Sequence, residues 1–223
     1  MTSWSPTHPA HSPQALKEPL VYVVDDDESM RLALDGLLRS IGLQVKTFES
    51  SQDFLASAQR DVPGCLILDV RLRGESGLAF QEQMEKSGVR TPIVFMTGHG
   101  DIAMTVKAMK AGAVDFLAKP FRDQDMLDAV ASALARDSER LRLEQSGAAL
   151  RDAFAALTQR EREVLRFVIS GLMNKQIAAQ LNLSEVTVKV HRGQVMKKLG
   201  ARSVADLVRM AESLGVEPSH RSA

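Results

Sequence analysis

The chain has 223 residues, in which 28 Lys plus Arg are balanced by 28 Asp plus Glu, so it is long enough for two modest domains and carries no net charge. A single cysteine excludes a disulfide framework. The absence of a signal-peptide core and of any long apolar stretch predicts a cytoplasmic protein with no membrane partner. Charge is unevenly placed, because residues 1–150 hold 16 basic and 21 acidic residues whereas residues 151–223 hold 12 and 7. The last third is therefore a candidate for contact with a polyanion.

Residues 1–18 are rich in Pro, Ser and His without periodicity and predict a disordered tail, in which His8 and His11 are incidental rather than metal ligands. From Leu20 onward, short apolar runs alternate with helical patterns. The predicted strands are LVYVV, QVKTF, CLILDV, PIVFMT and VDFLAK, and the predicted helices lie near 28–40, 51–58, 77–87, 101–112 and 123–135. This alternation predicts an α/β fold over residues 19–135, a doubly wound, five-stranded parallel sheet. Cys65 lies inside the third strand and is expected to be a buried thiol.

Residues 136–153 are charged and predict a helical linker, after which the pattern is helical alone. Four helices are predicted within residues 154–216, ending near Ser170, Leu181, Leu199 and Leu214. Three of them begin at the capping residues Thr158, Ser184 and Ser203, and the second, short helix begins at Asn174. The tight turn at Asn182 and Leu183 predicts a helix-turn-helix module in a smaller all-α domain of four helices. Residues 217–223 are expected to form a second tail.

Polar side chains follow four of the five predicted strands: the acidic run Asp25–Asp27, then Asp69, Thr97 and Lys119. Because parallel strands place their carboxyl ends at one edge of a sheet, these groups should share a pocket. A carboxylate can accept a phosphoryl group when Mg²⁺ neutralises the oxygens and a lysine steadies them, and two carboxylates plus a carbonyl suffice for Mg²⁺. Each residue also has an ordinary alternative: Asp27 suits a helix cap, and Lys119 before a proline suits a turn. The conjunction of the four groups favours the phosphoryl-accepting site.

The segments VVDDDES, LILDVRLRGESG, VFMTGHGD and AVDFLAKPF resemble the receiver domain of two-component response regulators over about Pro19–Ala135. The resemblance implies a flavodoxin-like sheet with strand order 2-1-3-4-5. It further implies that Asp69 is the phosphoacceptor and that Thr97 and Lys119 are the catalytic and switch residues. The implied ligands of Mg²⁺ or Mn²⁺ are Asp25, Asp26, Asp69 and the backbone carbonyl of Arg71. Phe116 corresponds to an aromatic switch position, with a plain core aromatic as the open alternative.

Two features of this part of the chain differ from the family pattern or lie outside it. Leu72-Arg73 stands where Met-Pro is usual, and the loss of a proline removes a fixed φ angle, which leaves the stiffness of this loop open. His99 is expected to be an exposed loop residue.

The helix after Ser184 has two distinct faces on a helical wheel. Val188, Val195 and Leu199 form an apolar stripe with His191 at its edge. The opposite face carries Val186, Lys189, Val190, Gly193 and Lys197. Aliphatic and lysine side chains together suit the major groove of DNA, although lysines near the helix end also favour the helix dipole. Gly193 is explained equally well by close approach to DNA and by tight helix packing.

The segment from Leu157 to Leu214 is similar throughout to the LuxR-type helix-turn-helix domain, and the whole chain resembles the NarL/FixJ class, with a receiver especially like FixJ and the styrene- or toluene-pathway regulators. The resemblance implies Lys189 and Val190 as base readers. The remaining predicted DNA-binding residues are Lys175, Thr187, His191, Arg192 and Lys197. Gly193 replaces a lysine that relatives carry, and the last helix corresponds to a dimerisation element.

The resulting hypothesis is a transcription factor that a sensor histidine kinase phosphorylates at Asp69. The phosphorylated form is expected to dimerise through residues 101–118 and to bind promoter DNA, with RNA polymerase as a further candidate partner. No enzymatic activity is expected beyond phosphoryl transfer to Asp69 and its slow loss. The acidic and basic halves also suggest that the unphosphorylated receiver masks the DNA-binding face, in which case a fragment of residues 137–223 should bind DNA better than the unphosphorylated whole.

Two alternatives remain open at this point. A phosphohydrolase of the haloacid dehalogenase type would use Asp25 as its nucleophile and Asp27 as its partner, and it would have no use for a helix-turn-helix. A DNA-binding protein whose receiver-like part only dimerises would not respond to a phosphoryl donor.

Overall fold

The computed structural model describes residues 17–72, 75–98 and 102–219. Contacts divide the chain into two compact units, Met1–Leu143 and Glu144–Ala223. His8, His11 and His99 lie outside the described residues, as does most of the predicted N-terminal tail. No helix in the described ranges is long and apolar enough to cross a membrane.

The first unit alternates strands and helices. Its strands are β1 (Leu20–Val24), β2 (Gln44–Phe48), β3 (Gly64–Asp69), β4 (Arg71–Leu72), β5 (Glu75–Ser76), β6 (Ile93–Thr97) and β7 (Asp115–Ala118). Its helices are α1 (Glu28–Ser40), α2 (Ser51–Ser57), α3 (Gly77–Lys86) and α4 (Ile102–Lys110), and α5 (Asp123–Ala155) begins here.

Among the described residues, five parallel strands form one sheet in the order β2-β1-β3-β6-β7. Numbered as the predicted strands were, this order is 2-1-3-4-5, which confirms the predicted doubly wound, flavodoxin-like sheet. The short antiparallel ladder of β4 and β5, which pairs Leu72 with Glu75, was not predicted. Strand pairs of two residues carry too little periodicity to be detected in a sequence.

Both faces of the sheet are buried, because successive side chains of a strand point to opposite faces. In β3, Leu66 and Leu68 pack into one apolar cluster, whereas Cys65 and Ile67 pack into the other. This double burial explains the unbroken apolar runs in the sequence. Cys65 is fully buried, as predicted, and burial raises the pKa of its thiol.

The fifth helix of the first unit differs from the prediction. A helix near 123–135 and a separate helical linker over 136–153 were expected, but α5 runs without interruption to Ala155. Asp137, at the start of the predicted linker, is buried and its Oδ2 accepts a 2.8 Å hydrogen bond from the backbone N–H of Gly64. Its Oδ1 accepts a 2.8 Å bond from Nε of Arg140. The first turn of the linker is therefore fastened to the amino end of β3, which a charged sequence alone did not reveal.

The second unit consists of helices, as predicted. They are α6 (Gln159–Ile169), α7 (Asn174–Leu181), α8 (Glu185–Leu199) and α9 (Val204–Ser213), following the end of α5. Thr158 and Glu161 form the predicted capping box, and Ser184 and Ser203 accept hydrogen bonds as the predicted N-caps of α8 and α9. Asn182 adopts a left-handed φ of 53°, which makes the sharp turn between α7 and α8.

The core of the second unit joins one face of every helix in it. Val164, Ile177, Val188 and Leu207, from α6, α7, α8 and α9 respectively, are all buried in one cluster. The segment after α9 also returns to this unit, because the Ser170 hydroxyl donates to the carbonyl of Ser219 at 2.9 Å. The predicted tail of residues 217–223 is thus attached as far as Ser219, where the described residues end.

Candidate functional site

Three of the predicted site residues meet at the carboxyl edge of the sheet. The Nζ of Lys119, just after β7, donates a 2.8 Å hydrogen bond to Oδ2 of Asp25, just after β1. The same Nζ donates a 2.6 Å bond to Oδ2 of Asp69, the last residue of β3. One lysine therefore bridges two carboxylates that are 44 positions apart in the numbering, because the parallel strands bring their ends together.

The pocket holds two carboxylates and one ammonium group within hydrogen-bonding distance. Asp25 is only 1% exposed, and this burial raises the pKa of its carboxyl group although the hydrogen bond from Lys119 opposes the shift. Burial alone would lower the pKa of Lys119, but the hydrogen bonds to Asp25 and Asp69 outweigh it and raise that pKa. Lys119 therefore stays protonated at neutral pH and supplies a fixed positive charge beside Asp69.

The remaining oxygens of the two carboxylates are oriented by the backbone. Oδ1 of Asp25 accepts a 2.8 Å bond from the N–H of Asp27, and Oδ1 of Asp69 accepts a 2.7 Å bond from the N–H of Arg71. Asp27 itself caps α1 by accepting from the N–H of Ser29, as its ordinary alternative predicted. That cap gives Asp27 a structural task and leaves Asp25 and Asp69 as the bridged pair.

Thr97 and Phe116 stand at the same edge, on β6 and β7. Thr97 ends its strand with a fully buried side chain, and its carbonyl accepts a 2.7 Å bond from the N–H of Lys119. Phe116 is half-buried on the edge strand, with its ring centroid 6.2 Å from that of Phe95. This placement suits both the core and the switch interpretations of Phe116.

Sequence reasoning missed two residues that shape the acceptor pocket. A Cβ on Gly77, at the start of α3, would lie 2.6 Å from the carbonyl oxygen of Asp69, so only glycine allows this approach. Arg31 donates from Nη1 to the carbonyl of Asp25 at 2.7 Å. A glycine opening a predicted helix was the available signal for Gly77. An arginine six residues beyond a strand end gives no comparable signal.

The donor set fits a magnesium ion. Within the described residues, no three acidic, histidine or cysteine side chains are grouped so as to hold a metal ion by themselves. Mg²⁺ needs less than that, because it keeps several waters and takes one or two carboxylates. Asp25 and Asp69 are buried beside one shared lysine, so their two carboxylates carry more negative charge than Lys119 balances, and Asp26, the predicted third carboxylate, is half-buried next to Asp25 in the chain. A divalent cation would balance that excess.

The loop that was expected to vary in stiffness is held on both sides. Arg71 pairs with Ser76 and Leu72 with Glu75 in the ladder of β4 and β5, and Leu72 packs into the core. The ladder fixes the backbone of Arg71, whose carbonyl is the predicted metal ligand. Arg73 and Gly74, between the two strands, lie outside the described residues.

An apolar groove opens beside the acceptor pocket. Its volume is about 580 Å³, and it is lined by α1 residues such as Met30, Leu32 and Leu37 together with the segment from Lys119 to Phe121. Leu32 is 67% exposed. The groove gives a second molecule a surface to bind next to Lys119.

The second candidate site is the exposed face of α8. Val188, Val195 and Leu199 are buried, which confirms the predicted apolar stripe, and His191 is half-buried at its edge. On the opposite side, Val186 is 73% exposed and Val190 57% exposed. The lysines predicted to contact DNA, Lys175, Lys189 and Lys197, are all exposed. The structure thus leaves the predicted lysine and valine side chains exposed.

Two of the residues predicted to bind DNA, Arg192 and Thr187, also form hydrogen bonds within the protein. Nη1 of Arg192 donates a 3.0 Å bond to Oδ1 of Asn174, which fastens α8 to the start of α7. Thr187 lies in the first turn of α8, where its N–H donates to the hydroxyl of Ser184 at 3.1 Å. Arg192 thus holds α8 against the start of α7, whereas Thr187 helps to cap its own helix, and both residues remain partly exposed.

Two other residues of α8 receive clear assignments. The Nζ of Lys198 donates a 2.7 Å bond to Oε2 of the buried Glu161 on α6, so Lys198 has a structural partner rather than a role at the helix end alone. A Cβ on Gly193 would meet no atom within 4 Å. Packing inside the described part of the unit therefore does not require a glycine there, which leaves approach to an external surface as the remaining explanation.

Comparison with known proteins identifies both domains. Residues 21–131 match the response regulator receiver domain, and residues 155–211 match the bacterial regulatory proteins of the luxR family. The chain is 53% identical to nodulation protein W of Bradyrhizobium diazoefficiens, covering 93% of this chain and 91% of that protein. It is 43% identical to the transcriptional regulatory protein FixJ of Azorhizobium caulinodans, covering 89% of this chain and 94% of that protein.

A solved structure extends the similarity to three dimensions. The structure of the response regulator StyR superposes with a TM-score of 0.81 at 49% identity, covering 88% of this chain and 99% of that one. The chain therefore belongs to the response regulators that join a receiver domain to a luxR-type helix-turn-helix DNA-binding domain, the group that includes FixJ.

Proposed function

We propose that Asp69 of this response regulator accepts a phosphoryl group from a sensor histidine kinase and that phosphorylation strengthens binding of α8 to promoter DNA. The observation that carries the proposal is the double hydrogen bond from Lys119 to Asp25 and Asp69. A lysine held against a carboxylate at the carboxyl edge of a parallel sheet is placed to bind an oxygen of an incoming phosphoryl group.

The transfer breaks the P–N bond of a phosphohistidine and forms a P–O bond to one oxygen of Asp69, while the leaving imidazole keeps the bonding electron pair. Oδ1 of Asp69 is bound to the N–H of Arg71 and Oδ2 to Lys119, so the carboxylate is oriented before the donor arrives. After transfer, Lys119 can bind a phosphoryl oxygen in place of the aspartate oxygen. The hydroxyl of Thr97, at the end of the neighbouring strand, is the group proposed to bind a second one.

Asp25, Asp26, Asp69 and the carbonyl of Arg71 are the residues that would hold Mg²⁺, or Mn²⁺ in its place. The metal supplies neutralisation of phosphoryl oxygens during transfer. The carboxylates of this chain are suited to that role because the pocket has an excess of negative charge that Lys119 alone does not balance.

We assign the kinase to the apolar groove along α1, because the groove reaches Lys119 and exposes Leu32. A donor bound there would lie beside Asp69. A Leu32→Ala variant should accept phosphoryl from acetyl phosphate at the parental rate but several-fold more slowly from a kinase that phosphorylates the parent. Equal rates with both donors would remove the groove from the proposal.

Dimerisation is assigned to α4 and β7. Ile102, Val106 and Met109 are exposed on α4, with Ile102 at 81%, and β7 is the edge strand of the sheet next to it. Exposed apolar side chains beside a free sheet edge suit a partner with the same surface. Phosphorylation would favour the paired form by stabilising one arrangement of Thr97 and Phe116 over another.

On the DNA, Lys189 and Val190 are proposed to contact bases in the major groove. Residues around them are proposed to contact phosphates: Lys175, Thr187, His191, Arg192 and Lys197. DNA as the target places the activity in the cytoplasm, and RNA polymerase is a further proposed partner at the promoter. The receiver is proposed to carry out no chemistry beyond phosphorylation of Asp69 and slow hydrolysis of the product.

The test measures DNA affinity with and without acetyl phosphate and Mg²⁺, using DNA sites selected from a random pool by the treated protein. The parent should bind selected DNA at least about tenfold more tightly after treatment, the size of shift expected for an allosteric coupling. Asp69→Asn should bind equally with and without the donor. A gain in affinity that survives in Asp69→Asn would contradict the proposal.

A further inference from the structure

The most exposed large apolar side chain described in the second unit is Val186, which none of the proposed DNA contacts uses. It is 73% exposed in the first turn of α8. Val190, four residues later, is 57% exposed. Residues four apart lie on the same face of a helix, so the two valines form a short apolar ridge, which we call the valine ridge (Val186 and Val190).

Valine is a poor choice for this position on grounds of local stability. A β-branched residue loses side-chain freedom in a helix, and an exposed one gains nothing by burial. The turn itself is well fixed, because the hydroxyl of Ser184 caps it through the N–H of Thr187. Val186 therefore projects outward from a fixed turn, and the exposed Lys189 flanks both valines of the ridge.

The chemistry of DNA supplies one apolar group that this ridge can meet. Among the base edges of the major groove, only thymine presents a methyl group, and the other groups there are hydrogen-bond donors or acceptors. In helix-turn-helix proteins, the amino-terminal residues of the second helix are those that reach base edges. Val186 is the second residue of α8 and stands at that end.

We propose that Val186 is a specificity residue that contacts the C5 methyl group of a thymine, at the end of the half-site read by the start of α8. This inference rests on the proposed binding of α8 in the major groove. The Cα atoms of Val186 and Val190 are about 6 Å apart along the helix axis, since each residue rises about 1.5 Å. The thymine read by Val186 should thus lie within about two base steps of the position read by Val190, at about 3.4 Å per step.

The test replaces thymine by deoxyuridine, which removes the methyl group and leaves the hydrogen-bonding groups in place. Full-length protein treated with acetyl phosphate and Mg²⁺ is first used to select its DNA site from a random pool. Each thymine of the half-site is then replaced singly, and affinities are measured for the parent, for Val186→Ala and for the control Leu143→Ala, at an exposed position of α5.

For the parent and for Leu143→Ala, the replacement of the thymine read by Val186 should weaken binding by about fourfold, the effect of one methyl group at about 0.8 kcal/mol. Val186→Ala should bind the unmodified site several-fold more weakly and should show no further loss at that one position, because the methyl contact is already absent. Its response to replacement at every other thymine, including one read by Val190, should match the parent.

Two results would overturn the inference. In the first, Val186→Ala loses as much affinity as the parent at every replaced thymine, or the parent loses no affinity at any of them. Either outcome would show that α8 binds DNA without the methyl contact, and the proposed function would stand. In the second, the treated parent selects no DNA sequence at all, which contradicts the proposed function as well.

Discussion

The receiver site and the exposed face of α8 differ in how much their side chains contact one another within the chain. At the edge of the receiver sheet, Asp25 and Lys119 are largely withdrawn from water and bound to each other, so every group there constrains its neighbours. On α8, Val186 and Lys189 are exposed and contact little within the chain. The first site is a consequence of the fold, because any five-stranded sheet of this order brings those strand ends together. The second is a surface that the fold leaves exposed to solvent, so its side chains are available to bind a partner molecule.

This difference gives opposite expectations for substitutions. A change in the buried site should alter stability and phosphorylation together, because the groups there hold one another. A change on the face of α8 should leave stability nearly unaltered while affinity for DNA changes. The following variants test this difference between the two sites.

The largest effect is expected from Lys119→Met. The change removes the one cation that, among the described residues, hydrogen bonds to both Asp25 and Asp69, and loss of one preorganised charged donor slows a reaction by about 100-fold or more. The rate of phosphorylation by acetyl phosphate, followed with ³²P label, measures it. Lys46→Met, at an exposed position on β2, should react at the parental rate. A fall of less than about threefold in Lys119→Met would show that the bridge has no catalytic role.

Gly77→Ala should destabilise the receiver by about 2 kcal/mol, because the added Cβ would lie 2.6 Å from the carbonyl oxygen of Asp69 and force the acceptor loop to move. Urea unfolding measures the free energy, and slower phosphorylation should accompany it. Gly36→Ala, where a Cβ meets no atom within 4 Å in the helix α1, serves as the matched control and should be neutral or slightly stabilising. Equal effects of the two changes would contradict the close approach at Gly77.

Glu161→Gln should destabilise the DNA-binding domain by about 2 kcal/mol at pH 7, since it removes a buried carboxylate that binds Lys198 and caps α6. Burial alone would raise the pKa of Glu161, but its hydrogen bonds from Lys198 and Thr158 outweigh this and lower the pKa below the usual value. A carboxyl group with a lowered folded-state pKa stabilises the fold fully above its unfolded pKa, and that contribution is lost as pH falls through the folded value.

The difference in unfolding free energy between parent and Glu161→Gln should therefore stay constant from pH 7 down to the ordinary glutamate pKa and should shrink as pH falls further, through the lowered pKa of the folded state. Glu163→Gln, which removes a surface pair with Arg160 on the same helix, should cost less than about 0.5 kcal/mol at any pH. A difference that stays constant over that whole range of pH would show that the charge of Glu161 is not what stabilises the domain.

The smallest change in stability is expected from Gly193→Ala, which should stabilise α8 by up to about 1 kcal/mol because alanine favours helices and nothing lies near the added Cβ. If α8 approaches DNA closely at this position, the same variant should bind the selected site more weakly than the parent. Thermal unfolding and DNA titration measure the two effects. Unchanged affinity would remove Gly193 from the contact surface.

The meeting of Asp69 and Lys119 at one edge of the sheet could be predicted because its signals are local. Each of Asp69, Thr97 and Lys119 follows an apolar run, and parallel pairing then dictates that they meet. Asp137 could not be found in that way, because its bond to Gly64 joins residues 73 positions apart with no pattern to mark them. The same holds for the unbroken helix α5, whose charged second half resembles a separate linker in composition.

For the DNA-binding domain, helical periodicity predicted which side of α8 is buried, and the structure agrees at Val188, Val195 and Leu199. Periodicity could not decide between the two explanations of Gly193 or foresee the partner of Lys198. Both depend on which helix packs where, and that is set by the tertiary arrangement of α6 against α8 rather than by either sequence alone.

The central claim is that the carboxylate of Asp69 carries the phosphoryl group. It is tested most directly by treating the parent with acetyl phosphate and Mg²⁺, trapping the acyl phosphate by borohydride reduction and locating the modified residue by mass spectrometry. The account predicts modification of Asp69 alone. Modification of Asp25, the nucleophile of the phosphohydrolase alternative, or recovery of no modified aspartate from a preparation that gains DNA affinity, would contradict it.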